Sequence, residues 1–370
     1  MSLSALLENL ISKKFTESEI TEMTGAVEYA CLTYSSDDSV RQDAASGGTV
    51  TGLLIEMLEN KIISGALVCN TEIKNGKVRA VYSVAETRKE ILQAAGSKYV
   101  QSEFAKEALP LIRQYKGKLA VVGLPCDITL LKHKLKKHPE LADKIVLTIA
   151  LLCGHISKTE LIDNITARLG KKHDGQLIKY RFRKGHWRGY LEAEFSDGQT
   201  EKRPFSYFSV YQNLYFFAPA KCLYCTDHFG YDADISAGDV WSYDLKEKNI
   251  KATGILVKTK HGAEILKGII DGPAFHSEKI ETVKILEGQK RTAPFHYNIS
   301  ARNRAAAYFP LKIPDKLEKK VKWHEFLSAV IVLFNYHWSK NQKYSKWVFR
   351  LPRPFLKLYL YLFKALESLK

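Results

Sequence analysis

No stretch of the chain holds the roughly 18 to 20 consecutive apolar residues that a helical bilayer crossing needs, which excludes a helical membrane-spanning design for these 370 residues. Cysteine is scarce, at six, which is too few for a disulfide scaffold of this length. The first thirty residues contain no basic stretch followed by an apolar one, so no secretory signal is expected. Together these absences predict a cytoplasmic protein whose thiols stay reduced and free to bind metal. Internal repeats and low-complexity segments are also missing, leaving an ordinary folded chain, and 45% hydrophobic content is enough for a large core in two or more lobes.

Acidic residues are in short supply as well. Lys and Arg number 56 against 40 Asp and Glu, a net charge of +16. The excess concentrates at residues 340–370, where Lys340, Lys343, Lys346, Arg350, Arg353, Lys357, Lys364 and Lys370 face a single acid, Glu367. The same segment carries Trp347, Phe349, Phe355, Leu356, Tyr359, Leu360, Leu362 and Phe363. Two readings fit: an interfacial anchor making peripheral contact with the inner face of a membrane, or a terminal helix docked on the domain with its lysines in water. No nucleic-acid motif accompanies the charge, so nucleic acid is not expected as a partner.

Periodicity predicts an α/β (α+β) chain. The first 35 residues read as helical and peripheral. "SGGTVTGLLIEMLEN" is a glycine turn opening a helix; "GALVCN" and "VRAVYSV" are strands; Thr87 and Glu90 form a capping box for "RKEILQAA". "KLAVVG" (strand), "DITLLKHKLKKH" (helix) and the continuously apolar "KIVLTIALL" (buried strand) follow. Ser157 and Glu160 are expected to cap a helix ending at Gly170. Beyond residue 175, "IKYRFRK", "YLEAEF", Asp197-Gly198 and "QTEKRPF" predict an inserted antiparallel region. "GILVKT" is a last strand, with a helix after His261.

Chemistry concentrates on four cysteines. Cys222 and Cys225 form a CxxC in "KCLYCTDHFGYDADISAGDVW"; alone, that spacing fits zinc, iron–sulfur or thiol chemistry. Cys126 in "GLPCDI" and Cys153 in "LLCGH" each follow a strand, with one helix between them bearing Ile128, Leu131 and Leu135 on one face. A strand–helix–strand unit makes its strands parallel, so Cys126 and Cys153 should share the sheet edge where α/β folds bind ligands. Four converging thiolates suit a 4Fe-4S cluster or a structural zinc. Cys31 and Cys69 read as small buried hydrophobes. Ser46-Gly47-Gly48-Thr49 opens a helix with no bulky side chain, a cap or an anion cradle.

In order and spacing, "SGGTVTGLL", "GSKYVQSE", "GLPCDI", "LLCGHISKTEL" and "CLYCTDHFGYDADISAGDVW" resemble the coenzyme F420 hydrogenase/dehydrogenase beta-subunit family, from about residue 40 to about residue 300; "FRKGHWRGY" and "GILVKTKHGAEIL" are similar too. The resemblance implies an iron–sulfur flavoprotein oxidoreductase with one 4Fe-4S cluster on Cys126, Cys153, Cys222 and Cys225, close to FAD. It implies an FAD-binding lobe at 41–120 that includes Ser46–Thr49 and an iron–sulfur/flavin lobe at 121–310, between a helical segment at 1–40 and a basic helical tail at 311–370. In "GSKY" it sets Ser97, Lys98 and Tyr99 at the flavin, with Lys98 as the cation for the reduced ring. Asp234, Gly238 and Asp239 belong to the cofactor surroundings, and His155 is the candidate proton donor. The cysteine motifs of a fused ferredoxin are lacking at the start of the chain, so one cluster is expected, with electrons exchanged with a ferredoxin-like or other redox partner. Coenzyme F420 or NAD(P)H would be the hydride partner. The substrate would be a small or lipid-linked molecule, since relatives occur beside surface-polysaccharide genes. An electron-transfer subunit of a larger complex and a zinc-stabilised non-catalytic relative are the alternatives. Two departures stand out: "GLPCD" replaces a GTPCQ-like segment, and Cys153-Gly154-His155 replaces Cys-His-Gly.

Overall fold

A computed structural model describes residues 15–242, 245 and 247–369. Eleven strands among them build two sheets. Eight lie in one mixed sheet: β1 (Tyr29–Ser35), β2 (Gly65–Lys74), β3 (Lys77–Ala85), β4 (Leu119–Gly123), β5 (Ile145–Leu151), β9 (Ile235–Asp239), β10 (Thr253–Val257) and β11 (Phe275–Ile280). Their order is β11-β1-β10-β9-β5-β4-β2-β3. The contiguous strands β9, β5, β4 and β2 pair in parallel, and the flanking strands are antiparallel. β6 (Leu177–Lys184), β7 (Tyr190–Phe195) and β8 (Thr200–Pro204) form the separate antiparallel sheet.

The parallel strands are apolar on both faces because helices cover both. Ala66, Val68, Ala120, Val122, Leu147 and Ile149 pack against helices Thr49–Glu59 and Lys260–Ile270. Leu67, Leu119 and Val121 face the other way, onto Phe104, Ala108 and Ile112 of helix Phe104–Gln114 and Ile128 and Leu131 of helix Pro125–Lys137. A further core joins the three-stranded sheet to helix Thr159–Gly170 and the C-terminal helices. The Thr87/Glu90 capping box forms as expected, with the Glu90 carboxylate accepting from Thr87 N at 3.0 Å and Thr87 Oγ1 accepting from Glu90 N at 3.3 Å.

Three local expectations fail. "GILVKT" is not the last strand, because β11 follows it and gains its hydrogen bonds from β1 at the edge of the sheet. Residues 29–35 are neither helical nor peripheral: they form β1, inside the sheet, with Cys31 opposite Ile255 on β10 and Lys279 on β11. Both partner strands lie more than 200 residues downstream, so the aromatic and β-branched content of "YACLTY" had no visible partner. The part of that expectation covering residues 1–14 lies outside the described residues. Ser157 does not cap the next helix, whose N-cap is Lys158 with no side-chain cap. Ser157 is instead drawn beside the extended segment at Tyr99, with Ser157 N donating to Tyr99 O and Gln101 N to Ser157 O.

The basic tail docks. Helices Trp323–Lys340, Gln342–Val348 and Arg353–Glu367 pack on the core around the three-stranded sheet through Leu333, Val348, Phe349, Leu356 and Phe363. Tyr359 Oη donates to Asn335 Oδ1 at 3.0 Å, and Arg168 Nη2 to Phe349 O at 2.6 Å.

Ser46–Thr49 is compressed between β1 and β10. A Cβ on Gly47 would stand 2.6 Å from Thr33 O and 3.0 Å from Lys251 O, both backbone atoms. Gly47→Ala should therefore lower the urea midpoint, costing about 2 kcal/mol. Gly268, exposed in a helix with nothing within 4 Å of a built Cβ, should gain about 0.5–1 kcal/mol as Ala. Equal effects of the two substitutions would show that the close approach at Gly47 is not a constraint.

Candidate functional site

The carboxyl ends of β4 and β5 place two of the four cysteines. Cys126 lies in the first turn of helix Pro125–Lys137, which leaves β4 after one residue, and Cys153 lies two residues past β5. The CxxC reaches them from the other side: Cys222 sits in the short helix Ala220–Leu223, with Cys225 just beyond. All four line one cavity of about 40 Å³, together with Lys221, Asp227, His155 and His296. Cys126 is the exposed member; the others are buried or half-buried. Among the described residues no three His, Cys, Asp or Glu side chains are arranged for a single metal ion. Cys31 is buried in the core on β1, and Cys69 lies on β2 against two apolar clusters, within electrostatic reach of Asp127; neither lines this cavity.

Each wall has a local cause. Asp127 accepts from Leu124 N at 3.2 Å, closing the helix start, and from the Tyr82 hydroxyl at 3.0 Å. Cys153 N donates to His228 O at 3.1 Å. Asp227 accepts from Gly230 N and Tyr231 N at 2.7 and 3.0 Å, which shapes the turn after the CxxC. Fully buried Arg302 lies beneath that motif, donating from Nε to Leu223 O at 3.0 Å and from Nη2 to Cys225 O at 3.2 Å, and also to Phe295 O.

Burial pushes the thiol pKa values up, that of Cys222 to about 11. For Cys153 burial is reinforced by the other three cysteines, and for Cys126 by Asp127 and then by Cys225 and Cys222. A site that disfavours four neighbouring thiolates is one where a bound cation would be strongly stabilising. Lys221 supplies part of that charge. Burial works against its ammonium, but Cys126, Asp127, Cys222 and Cys153 outweigh it and hold its pKa above the usual lysine value.

The expected flavin residues fall into two neighbouring groups. Ser46 Oγ donates to Ala252 O at 2.7 Å, Thr49 Oγ1 to Thr33 O at 3.0 Å, and Gly47 N to Thr253 Oγ1 at 3.0 Å. Gly48, at φ +76°, is the N-cap of helix Thr49–Glu59, which has no side-chain cap. Ser97, Lys98 and Tyr99 lead into the segment beside Ser157. Lys98 is half-buried and caps the preceding helix, donating to Ala95 O at 3.2 Å, Gly96 O at 2.9 Å and also Ala94 O; burial lowers its pKa to about 8. Tyr99 packs among Phe182, Phe205 and Phe208.

Arg183, which the sequence reading passed over inside "FRKGHWRGY", bridges these groups. Its guanidinium is buried, pairs with Asp239 at 2.7 Å, donates to Ala45 O beside Ser46, and lies within electrostatic reach of Tyr99. Among the described residues Arg183 Nε and Ser157 Oγ are buried polar atoms without a hydrogen-bond partner, groups that suit a polar ligand. From Asp239 the network continues toward the cysteines. Gln289 Nε2 donates to Asp239 O, Gln289 Oε1 accepts from His228 Nε2 at 3.1 Å, and His228 O holds Cys153 N.

Gly238 belongs to the same carboxyl edge, where a Cβ would meet the Leu152 side chain at 2.6 Å. Asp234 lies just before β9, at its amino-terminal end, and accepts from Thr148 N at 2.8 Å, Thr148 Oγ1 at 2.5 Å and Thr259 Oγ1 at 3.1 Å. It ties β5 to the start of helix Lys260–Ile270. His155 lines the cavity, stacks on Tyr215 at 4.3 Å and is held near Gln212 O at 2.8 Å; burial lowers its pKa to about 4. It is therefore a neutral imidazole whose Nε2–H is committed to a carbonyl. Lys221 was legible as the neighbour of Cys222; Arg302 and Gln289 carried no sequence signal.

A mixed α/β sheet with four thiols gathered at the carboxyl edge of its parallel strands is the class of protein that the fold and site define. The chain belongs to the coenzyme F420 hydrogenase/dehydrogenase beta-subunit family, a family of oxidoreductase subunits: residues 30–107 match its N-terminal and residues 116–283 its C-terminal region. It is similar to the coenzyme F420 hydrogenase subunit beta of Methanothermobacter thermautotrophicus (29% identity, covering 68% of this chain and 84% of that protein). It is also similar to a coenzyme F420-dependent sulfite reductase of Methanocaldococcus jannaschii (27% identity, covering 69% of this chain and 39% of that protein). Among solved structures, a chain of the F420-reducing [NiFe] hydrogenase complex from Methanosarcina barkeri shares the fold (TM-score 0.59, 20% identity, covering 80% of this chain and 98% of that one).

Fully buried His228 sets an acid-stability prediction. Burial lowers its pKa from 6.5 to about 4. Between those values the unfolded chain binds a proton that the folded chain refuses, so stability falls as pH drops through this window, by up to about 3 kcal/mol for this residue. His228→Gln, whose amide can still donate to Gln289, should flatten the fall in melting temperature between pH 7 and pH 4.5. His155 contributes in the same direction, so the flattening is partial; an unchanged slope would refute the assignment.

Proposed function

We propose that this chain is an electron-transfer oxidoreductase subunit holding one 4Fe-4S cluster on Cys126, Cys153, Cys222 and Cys225 and an FAD against Ser46–Thr49, Ser97–Tyr99 and Arg183. Its hydride partner would be coenzyme F420, with NAD(P)H as the competing carrier, and electrons would pass to or from a ferredoxin-like or other redox partner subunit. The observation that carries this reading is the meeting of four cysteines from three distant segments on one cavity, in a chain of the F420 hydrogenase/dehydrogenase beta-subunit family. The donor set is all thiol, which suits a cluster or a structural zinc. The partly unmatched polar atoms around Arg183 and Ser157 suit a polar cofactor.

Bound together, the two cofactors would supply conversion between two-electron hydride transfer and one-electron transfer. The chain's own residues do the rest. Lys221 offsets negative charge on the thiolates. Arg302 fixes the carbonyls of Leu223 and Cys225, and so the orientation of the CxxC. Arg183 and Lys98 set two cations on the flavin side, and the Asp239–Gln289–His228 bridge holds that side in register with Cys153. His155, neutral and bonded through Nε2, keeps Nδ1 as an acceptor on a ring that lines the cavity. The protein's substrate would be a small or lipid-linked molecule of surface-polysaccharide metabolism.

The test is anaerobic purification with iron, sulfide, zinc and released flavin quantified on one sample, followed by assay with F420 and with NAD(P)H. Roughly four irons per chain and bound FAD are expected. Cys153→Ser or Cys222→Ser should abolish the iron, while Cys31→Ser and Cys69→Ser should retain it. One zinc and no flavin after reconstitution would sink the redox reading in favour of a zinc-stabilised relative. Loaded protein that reduces neither carrier alone but does so with a partner subunit would select the electron-transfer role within a complex.

A further inference from the structure

The C-terminal helix Arg353–Glu367 is apolar on two opposite faces. A docked surface helix ordinarily turns polar side chains to water. Here Leu356 and Phe363 point into the core, and yet Phe355, Leu358, Tyr361 and Leu362 point out, Tyr361 with 72% and Leu362 with 62% of its surface exposed. These outward residues recur at intervals of three and four, one continuous stripe along the helix. The preceding helix adds exposed Trp347, over whose ring Arg350 lies at 4.8 Å. A contiguous exposed apolar patch of this kind marks a site of interaction.

Charge identifies the occupant. Lys343, Lys346, Arg350 and Lys357 are all exposed on these two helices and the turn between them, while Arg353 is turned back onto the Tyr207 ring at 3.5 Å. The one acid between residues 341 and 369, Glu367, is turned inward, where Lys364 Nζ donates to it at 2.6 Å. The outer surface therefore combines aliphatic and aromatic side chains with cations and presents no exposed carboxylate, which matches an anionic lipid interface. Fifteen residues span about 22 Å, short of the roughly 30 Å hydrocarbon thickness, and no described helix is long and apolar enough to cross a membrane. The geometry is that of a helix lying in the plane of the interface. The family match ends at residue 283, so this surface belongs to the part of the chain beyond it.

We propose that helices Gln342–Val348 and Arg353–Glu367 dock this protein peripherally on an anionic lipid bilayer, with the stripe of Phe355, Leu358, Tyr361 and Leu362 inserted at the headgroup–acyl boundary and the surrounding lysines and arginines on lipid phosphates.

Flotation of the full chain with phosphatidylcholine vesicles, with and without phosphatidylserine, tests it. Binding should require the anionic lipid and weaken at least about tenfold in high salt. Leu358→Glu/Leu362→Glu, whose side chains do not enter the core, should lose flotation with an unchanged melting temperature. Lys343→Glu/Lys346→Glu/Arg350→Glu should lose it without touching the stripe. Absence of flotation on the phosphatidylserine-containing vesicles, or flotation that both variants retain, would overturn the proposal. So would a stable dimer, measured by light scattering, that dissociates in the Leu358→Glu/Leu362→Glu variant and does not bind vesicles.

Discussion

Parallel pairing of β4 with β5, imposed by the helix that returns the chain from one to the other, is the constraint on which the site depends. Both strands then end on the same edge, so Cys126 and Cys153, 27 positions apart, emerge side by side. The register also leaves room on that edge for β9, and the segment preceding β9 carries the CxxC back over the strand ends. Tight contacts keep the layers together: a Cβ on Gly230 would stand 2.3 Å from the Ala150 Cβ on β5. Shifting β4 against β5 by one residue would turn every buried side chain to the other face and disperse the four thiols.

Electrostatics give the assembled site its character. Four thiols held against ionisation, Lys221 with Asp127 beside them, and a buried arginine behind the CxxC crowd into one region. A second buried arginine, Arg183, organises the neighbouring region, and the bridge from Asp239 through Gln289 to His228 makes the two regions mechanically continuous. Substitutions along that bridge would alter both regions at once, because each member is bonded on two sides and Gln289 and His228 are buried.

The C-terminal helices illustrate how one segment serves two environments. Their inner face completes the core around the three-stranded sheet, and their outer face leaves large apolar side chains among cations. Docking and interfacial contact, posed by the sequence as alternatives, are compatible once the helix is seen to be apolar on both sides.

Local pattern alone determined much of this protein. Continuous apolar runs identified β4 and β5, the Thr87/Glu90 spacing identified a capped helix, and the order strand–helix–strand sufficed to set Cys126 and Cys153 on one edge, because each of these is decided by residues near in the chain. Motif order carried the family. Only the tertiary structure decided the rest. β1 needs hydrogen bonds from β10 and β11, more than 200 residues away, so its seven residues looked helical in isolation. Ser157 looked like a helix cap until Tyr99 and Gln101 took its backbone. Arg183, Arg302 and Gln289 gain their meaning from burial among partners drawn from distant elements, and burial of a polar group is a property of the folded assembly, which no spacing along the chain encodes.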